Sequence, residues 1–562
     1  MNWLKLKNLI LFKPDSVRRT CQHLITVMLF FAFLNSNAQD VYENFRADWL
    51  KKSQQYLPEL QVKTKVPVQV VRMVKDSASY QHVKAEKISL PDEYYETPLK
   101  SGEVQVIDFG GHVTGRVQFV IESNIPAHAP VQLKIKFAEV PAEMNASFES
   151  YHGTLSKAWL QEEIITLHTM PDTVLLPNRY AFRYVKFEIL ASAADMDFFV
   201  RDVKCFATTS AKKDLFSETT LKEAAFHTIS EVSIKTLQEC MQTVFEDGPK
   251  RDQRIWVGDL KLQALANYYS FGNFDLVKRG LYLYAATAAE NGLVYGTIFE
   301  KPQPHPQKHF PIDYSLLYNS VLTDYYEASK DIRTLEDLWI VAKYQVLNVL
   351  PYISDDGIFI PSSDWWYFID WNERLDKQVA LQGVAIYSLA KTWELAQILN
   401  KQDELPRLPE TIEKMKKAAR ETFYDTGKML FVSGPSKQVS TASQVWMILS
   451  GTVSPAEGKK LFENLKKEKQ VVLPVSPYLY HYVAEAMISC GMYQEAGELI
   501  KDYWGGMVKK GADTFWEVYD PDNDFLSPYG SFMMNSYCHA WSCTPVYFLR
   551  KYNRELFPDG TK

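Results

Sequence analysis

Leu221-Lys-Glu-Ala-Ala225-Phe-His-Thr-Ile229-Ser-Glu-Val232 marks the point where the chain changes its hydrophobic period. Leu221, Ala225, Ile229 and Val232 recur at helical spacing, which places them on one face of a helix. Upstream, from about Val41 to Ala207, the period is mostly two. Val131-Gln-Leu133-Lys-Ile135-Lys-Phe137 alternates strictly, as does Val185-Lys-Phe187-Glu-Ile189. Such alternation suits strands with one buried and one wet face, and Gly110-Gly111 and the stretch from Pro126 to Pro130 punctuate it. Downstream, roughly twelve helical segments follow nearly to the end. They include Leu260–Gly272, Ser315–Ser329, Gln378–Leu399, Thr411–Phe423, Ala442–Leu449, Tyr480–Ser489, Gln494–Trp504 and Tyr537–Lys551. The fold expected is multidomain, an N-terminal antiparallel β-sandwich followed by an (α/α)6 toroid. Residues 39–100 read as linker and first strands, 101–212 as the sandwich and 213–555 as the barrel. An α-solenoid is the structural alternative, but no fixed repeat period supports it.

A chain of 562 residues suits two or three domains. With 46% apolar and 23% charged residues it has a globular profile and ample core. A formal net charge of −6 argues against a nucleic-acid partner, which would select a basic face. Aromatics reach 14%, including 13 Trp and 32 Tyr. They could stack on the C–H faces of sugars or simply fill a large core, and composition leaves both open.

The first 38 residues have the layout of a secretory signal. Lys5, Lys7, Lys13, Arg18 and Arg19 precede an apolar run from Leu24 to Leu34, and Asn35-Ser-Asn-Ala38 closes it, so cleavage is expected after Ala38. The run is too short for a membrane span, and Cys21 lies before it, which argues against lipid attachment there. An exported, periplasmic or secreted protein is expected. Cys205, Cys240, Cys490, Cys538 and Cys543 remain, an odd set without CxxC spacing, which reads as mostly buried thiols. No HExxH or EF-hand pattern is present, so neither metal nor cofactor is expected.

Four clusters could carry chemistry. Glu246-Asp247-Gly-Pro-Lys-Arg251-Asp252-Gln-Arg-Ile-Trp256-Val-Gly258-Asp259 sets four carboxylates among three basic residues. Most such runs are solvated loops, yet a solvated loop rarely holds a Trp. The second is Asp364-Trp-Trp366-Tyr-Phe-Ile-Asp370-Trp371, whose rings and carboxylates do not suit one helix face and read as a loop entering a cleft. Thr514-Phe-Trp516-Glu517 is the third, and Tyr537-Cys-His539-Ala-Trp541, at the start of the last helical segment, the fourth. A histidine at a helix start is more often structural than catalytic.

The first cluster resembles the signature of glycoside hydrolase family 78, the bacterial α-L-rhamnosidases. Phe310-Pro-Ile-Asp313-Tyr314-Ser-Leu316, Phe368-Ile-Asp370-Trp371, Ala512-Asp-Thr-Phe-Trp516-Glu517 and His539-Ala-Trp-Ser-Cys-Thr-Pro545 resemble further family segments in the same order. Asp108-Phe-Gly110 and Phe182-Arg-Tyr-Val185 are similar to the family's leading sandwich. The resemblance implies release of L-rhamnose, or a similar 6-deoxy or L-sugar, by inverting hydrolysis. A carboxylic acid protonates the departing oxygen while a carboxylate about 6.5–9.5 Å away activates water on the opposite face. It puts Asp252 as the acid and Glu517 as the base. Asp247, Asp259 and Asp370 would hold ring hydroxyls beside Arg251, and Trp256, Trp366, Trp371 and Trp516 would wall the sugar. Asp313, Tyr314 and His539 complete the expected contacts.

Many relatives carry Glu at the acid position, where this chain has Asp252, one methylene shorter, followed by Gln253. The chain also stops soon after the last barrel segment, so the trailing β-domain of many relatives is not expected. Two other classes remain open: a sugar-binding protein on a retired hydrolase scaffold, and a polysaccharide lyase, although the carboxylate-rich loop would repel a uronate. The sandwich reads as a brace for the barrel, with glycan binding of its own the less expected role.

Overall fold

The computed structural model describes residues 40–557 apart from 126–128, 217–218, 220, 222 and 309–310. The expected signal segment therefore lies outside the described residues. The alternating half forms an antiparallel sheet of nine strands, β1 (Gln61–Lys65), β2 (Gln69–Lys75), β3 (Val83–Ser89), β4 (Val104–Ser123), β5 (Val131–Ala138), β6 (Glu162–Leu167), β7 (Asp172–Leu175), β8 (Tyr180–Ala191) and β9 (Phe198–Thr209). Its path runs β1-β9-β4-β8-β5-β6, with β2 and β7 joined along β4 and β3 paired to β2. Every second residue faces the core as the pattern requires: Val117, Phe119, Ile121, Leu133, Ile135, Val185, Phe187 and Ile189 are fully buried. The long β4 breaks register between Asp108 and Val113, where Gly110 takes φ +77°. A Cβ there would also meet Val68 at 2.9 Å, so glycine is required twice over. The break lets one strand pair with β2 through its first half and with β7 and β9 through its second.

The helical half contains six consecutive hairpins. They pair α1 (Ala224–Cys240) with α2 (Val257–Tyr268), α3 (Phe274–Thr287) with α4 (Ile312–Ser329), and α5 (Ile332–Val349) with α6 (Gln378–Ile398). The ring continues through α7 (Leu408–Phe423) and α8 (Thr441–Leu449), α9 (Pro455–Leu465) and α10 (Pro477–Ser489), and α11 (Tyr493–Lys509) and α12 (Pro545–Lys551). Even-numbered helices line the inside. Every residue of α2 is buried, whereas the outer α7 buries one stripe made by Leu408, Ile412, Met415, Ala418, Ala419 and Phe423. α2 packs on both α4 and α12, which closes the ring and removes the solenoid alternative.

Three local expectations change. The helix Arg46–Gln55 interrupts the region read as period two and packs on α3 of the barrel. Tyr42 and Trp49 are its buried anchors, and Arg46 donates to the carbonyls of Ala286, Ala288 and Ala289, so this segment belongs to the barrel. The buried face of α1 is Phe226, Ile229, Val232 and Leu237, because the larger ring of Phe226 takes the place expected for Ala225. The last helix begins only at Pro545, since proline at the first turn cannot donate to a preceding carbonyl; a single turn, Ala540–Ser542, precedes it. All five described cysteines are free thiols, four of them buried. Among the described residues no helix is long and apolar enough to cross a membrane.

Candidate active site

The inner helices begin on one face of the ring, and the connections entering them there converge on a cavity of about 280 Å³. From the loop between α1 and α2 come Asp247, Arg251, Asp252, Arg254 and Trp256, with Asp259 in the first turn of α2. Tyr314 opens α4. Trp366, Phe368 and Trp371 come from the loop before α6, and Glu517, Tyr529, His539 and Trp541 from the long connection between α11 and α12. Leu155 and Trp159 reach in from the excursion between β5 and β6 of the sheet domain.

The first loop is held in a costly backbone shape. Asp252 and Gln253 are consecutive non-glycine residues at φ +61° and +51°, each worth about 1–3 kcal/mol of strain. Hydrogen bonds close the loop around them. Asp247 N donates to Arg254 O at 3.0 Å, Gln253 N to Arg251 O at 2.8 Å, and Gln253 Nε2 to Pro249 O at 2.8 Å. The turn lifts Asp252 to the cavity wall, where its side chain keeps 15% exposure while the other carboxylates of the cavity are buried.

Arg251 joins the two distant carboxylates. Its Nη2 is ion-paired with Glu517 Oε2, and its Nη1 lies 3.5 Å from Asp252 Oδ1. Guanidinium nitrogens are about 2.3 Å apart, so the two carboxylates lie at most about 8 Å from each other. They can flank a single sugar ring. Glu517 is fixed further by the Tyr529 hydroxyl on Oε1 and by Ser536 N on Oε2 at 3.1 Å. Met534 O, which accepts from Arg251 Nε at 2.9 Å, anchors the guanidinium itself.

Burial pushes the Asp247 and Asp259 carboxyls well above the usual aspartate range, and neighbouring carboxylates add to it, Asp252 and Asp259 for the first and Glu517 for the second. Glu517 goes the other way. Burial opposes its charge, but the Arg251 guanidinium and the donated hydrogen bonds hold it below the ordinary glutamate value. Burial lowers His539 to about 4, so its ring is neutral. Asp259 Oδ1, His539 Nδ1, Trp256 Nε1 and Trp371 Nε1 are buried around the cavity without a hydrogen-bond partner in the protein. Orphaned buried polar atoms are costly, and four of them facing one space suit a ligand dense in hydroxyls. Gly258 contributes by its size, since a Cβ there would meet the Tyr314 ring at 2.4 Å.

Not every residue expected at the sugar reaches the cavity. Asp313 accepts from Phe368 N and Ile369 N at 3.0 and 2.8 Å and fastens the aromatic loop at Ile369, a β-branched residue at φ +54°. Asp370 accepts from Val475 N, Ser476 N and Ser476 Oγ, tying that loop to the N-terminal cap of α10. Trp516 is 2% exposed and stacks on Tyr80 at 4.2 Å, outside the cavity lining, while its neighbour Glu517 faces the cavity. Asp247, Arg251, Asp252, Trp256, Asp259, Tyr314, Trp366, Trp371, Glu517 and His539 do line it. Sequence reasoning assigned no role to Arg254, Phe368 or Trp541, although all three stand inside quoted motifs. Tyr529, Leu155, Trp159 and Gln307 lie in segments without a motif, and nothing local marked them.

Paired carboxylates across an aromatic-walled cavity in a six-hairpin toroid define a glycoside hydrolase. Two family profiles match: the glycosyl hydrolase family 78 α-rhamnosidase N-terminal domain over residues 67–207, and the bacterial α-L-rhamnosidase six-hairpin glycosidase domain over residues 217–552. Among solved structures, a rhamnosidase from Klebsiella oxytoca with rhamnose bound is 39% identical, with a TM-score of 0.88, covering 90% of this chain and 99% of that one. A family 78 rhamnosidase of Bacillus sp. GL1 shares the fold at 21% identity and TM-score 0.69, covering 83% of this chain and 49% of that one. The Streptomyces avermitilis α-L-rhamnosidase complexed with L-rhamnose does so at 15% and 0.62, covering 88% and 44%. No protein of the curated set matches. The chain belongs to glycoside hydrolase family 78, the bacterial α-L-rhamnosidases.

Proposed function

We propose that the protein removes a terminal L-rhamnose from glycosides with inversion, Asp252 acting as the acid and Glu517 as the base. The observation that carries this is the Arg251 guanidinium, which holds both carboxylates at one small cavity. Asp252 protonates the departing oxygen, and Glu517 draws a proton from the water that attacks C1 from the other face. Asp247, Asp259 and His539 meet the ring hydroxyls. Trp256, Trp371, Phe368 and Trp541 face the apolar side and the methyl group of the 6-deoxy sugar. The space suits one ring held at the chain end rather than a glycan threaded through. Export is part of the reading: cleavage after Ala38 would leave intact the Asp40–Arg46 pair that fastens the N-terminal helix to the barrel. N-terminal sequencing of the mature protein checks that point.

The test is hydrolysis of an aryl α-L-rhamnoside by the purified chain, followed by proton NMR. β-L-rhamnose is expected first, with the α anomer growing in by mutarotation. The α anomer appearing first, or no rhamnose at all, would overturn the reading.

A pH profile follows from the electrostatics. The base works ionised, and its carboxyl is held below the ordinary 4.5, so the acid limb of kcat/KM is expected below about pH 4.5. Arg251→Met removes the largest stabilising charge, and the limb should then move to higher pH. An acid limb near pH 6 in the wild-type protein would contradict the assignment of Glu517.

A further inference from the structure

A second, larger cavity of about 690 Å³ lies between the sheet domain and the barrel, and Asp252 and Arg254 line both spaces. The residue proposed to protonate the leaving oxygen therefore stands at the junction, and whatever is attached to rhamnose begins there. We propose that this groove receives the leaving group, and that the leaving group is a sugar bearing an anionic substituent, a carboxylate or a sulfate ester. The proposal rests on the rhamnosidase reading and adds the class of glycan that reading leaves open.

Two features of the lining support it. Phe206, on β9, and Phe299, after α3, are half-buried rings on opposite domains, suited to the C–H faces of a sugar. Arg254 stacks on Phe299 at 4.2 Å. The charges are uneven in their pairing. Arg179 donates from Nη2 to both carboxylate oxygens of Glu246 at 2.9 and 2.7 Å, Glu300 is ion-paired with Arg279, and Arg254 holds Asp252. Arg116 and Lys301 also line the groove, both exposed, and among the described residues neither forms an ion pair. Neutral rhamnose thus takes the carboxylate-rich cavity, and beyond the scissile bond lie two cations outside any ion pair, of which Lys301 also acts on the already paired Glu246. An anion in the groove gains their attraction without entering the field of Asp247, Asp259 and Glu517.

The experiment compares kcat/KM for an α-L-rhamnosyl uronate disaccharide with that of its carboxyl-reduced neutral counterpart, which shares every stereocentre and linkage. A 6-sulfated neutral disaccharide forms a third arm and separates sulfate from carboxylate. At low salt the wild-type protein is expected to favour one anionic substrate over the neutral one by about tenfold, the scale of two close charge contacts. Arg116→Gln with Lys301→Gln should bring that ratio near one, and so should high salt. Both side chains are exposed, so the variants should fold. Equal rates on all three substrates, or a preference that survives the double variant, would overturn the groove assignment. Release of rhamnose from none of them, or from any simple rhamnoside, would instead sink the rhamnosidase reading.

Discussion

Glu517→Gln is expected to lower kcat by about 10²–10⁴-fold on every rhamnoside, while Asp252→Asn loses as much only on substrates with a poor leaving group. The two roles make different demands. A base is needed whatever departs, because water must lose its proton as it attacks C1. An acid matters in proportion to the basicity of the departing oxygen. A nitrophenolate leaves without help, whereas an alkoxide or a sugar hydroxyl must be protonated as the bond breaks. Paired assays on nitrophenyl and alkyl α-L-rhamnosides therefore separate the residues. The Asp252→Asn defect should shrink on the nitrophenyl substrate, and the Glu517→Gln defect should not. Both substitutions preserve volume, and circular dichroism should match the parent protein. If the leaving-group dependence falls on Glu517 instead, the roles are exchanged; if both variants keep parental rates, neither residue is catalytic.

The sequence made this pair findable because the chemistry is concentrated in short motifs. Asp247 to Asp259 stands in one loop and the first turn of α2, so a single charged run with a Trp inside already held six of the seventeen residues lining the cavity. Fold class was legible for a similar reason: the strict alternation of Val131–Phe137 and the helical spacing after Leu221 are local signals of sheet and helix. What stayed hidden depended on neighbours distant in sequence. Asp370 carries an exposed-looking carboxylate next to Trp371, and only the fold reveals that Ser476 and Val475 consume it. Trp159 lies in a segment whose period says sheet domain, and nothing local tells that the excursion between β5 and β6 leans over the barrel. Trp516 turns to Tyr80, a partner in the sheet domain that no local pattern around Trp516 could name. The helix Arg46–Gln55 was the recoverable miss, because Tyr42, Phe45 and Trp49 already fall at helical spacing.

Lys250 is where that long-range dependence has its largest expected effect. It is buried between the two domains, ion-paired with Glu143 and 3.5 Å from Glu139, both contributed by the sheet domain. It also donates to Asn535 O at 2.7 Å and Met533 O at 3.2 Å, which bracket the Met534 carbonyl that holds Arg251. One ammonium thus ties the sheet domain to the loop that orients the Arg251–Glu517 pair. Lys250→Met would leave the buried Glu143 carboxylate without its cation, while Glu139 keeps His112 Nε2 at 3.0 Å and Tyr537 N at 2.7 Å, at about 3–5 kcal/mol of stability. Burial already raises the Glu143 carboxyl with the lysine present. Without it the folded state would prefer Glu143 protonated, and its folded pKa would then lie further above the unfolded value. The destabilisation should consequently grow as pH rises from 5 to 8. Unfolding followed in urea at both pH values measures this, and the transition should separate into sheet-domain and barrel steps as the connection weakens. Adding Glu143→Gln to Lys250→Met should recover a large part of the loss, since it removes the stranded charge. At saturating substrate, kcat of Lys250→Met is expected to fall about 10–100-fold through displacement of Glu517. The double variant should regain stability without regaining kcat, because the carbonyls of Met533 and Asn535 would still lack their donor. Parental stability and kcat in Lys250→Met would show that the two domains share no energetic path through this residue.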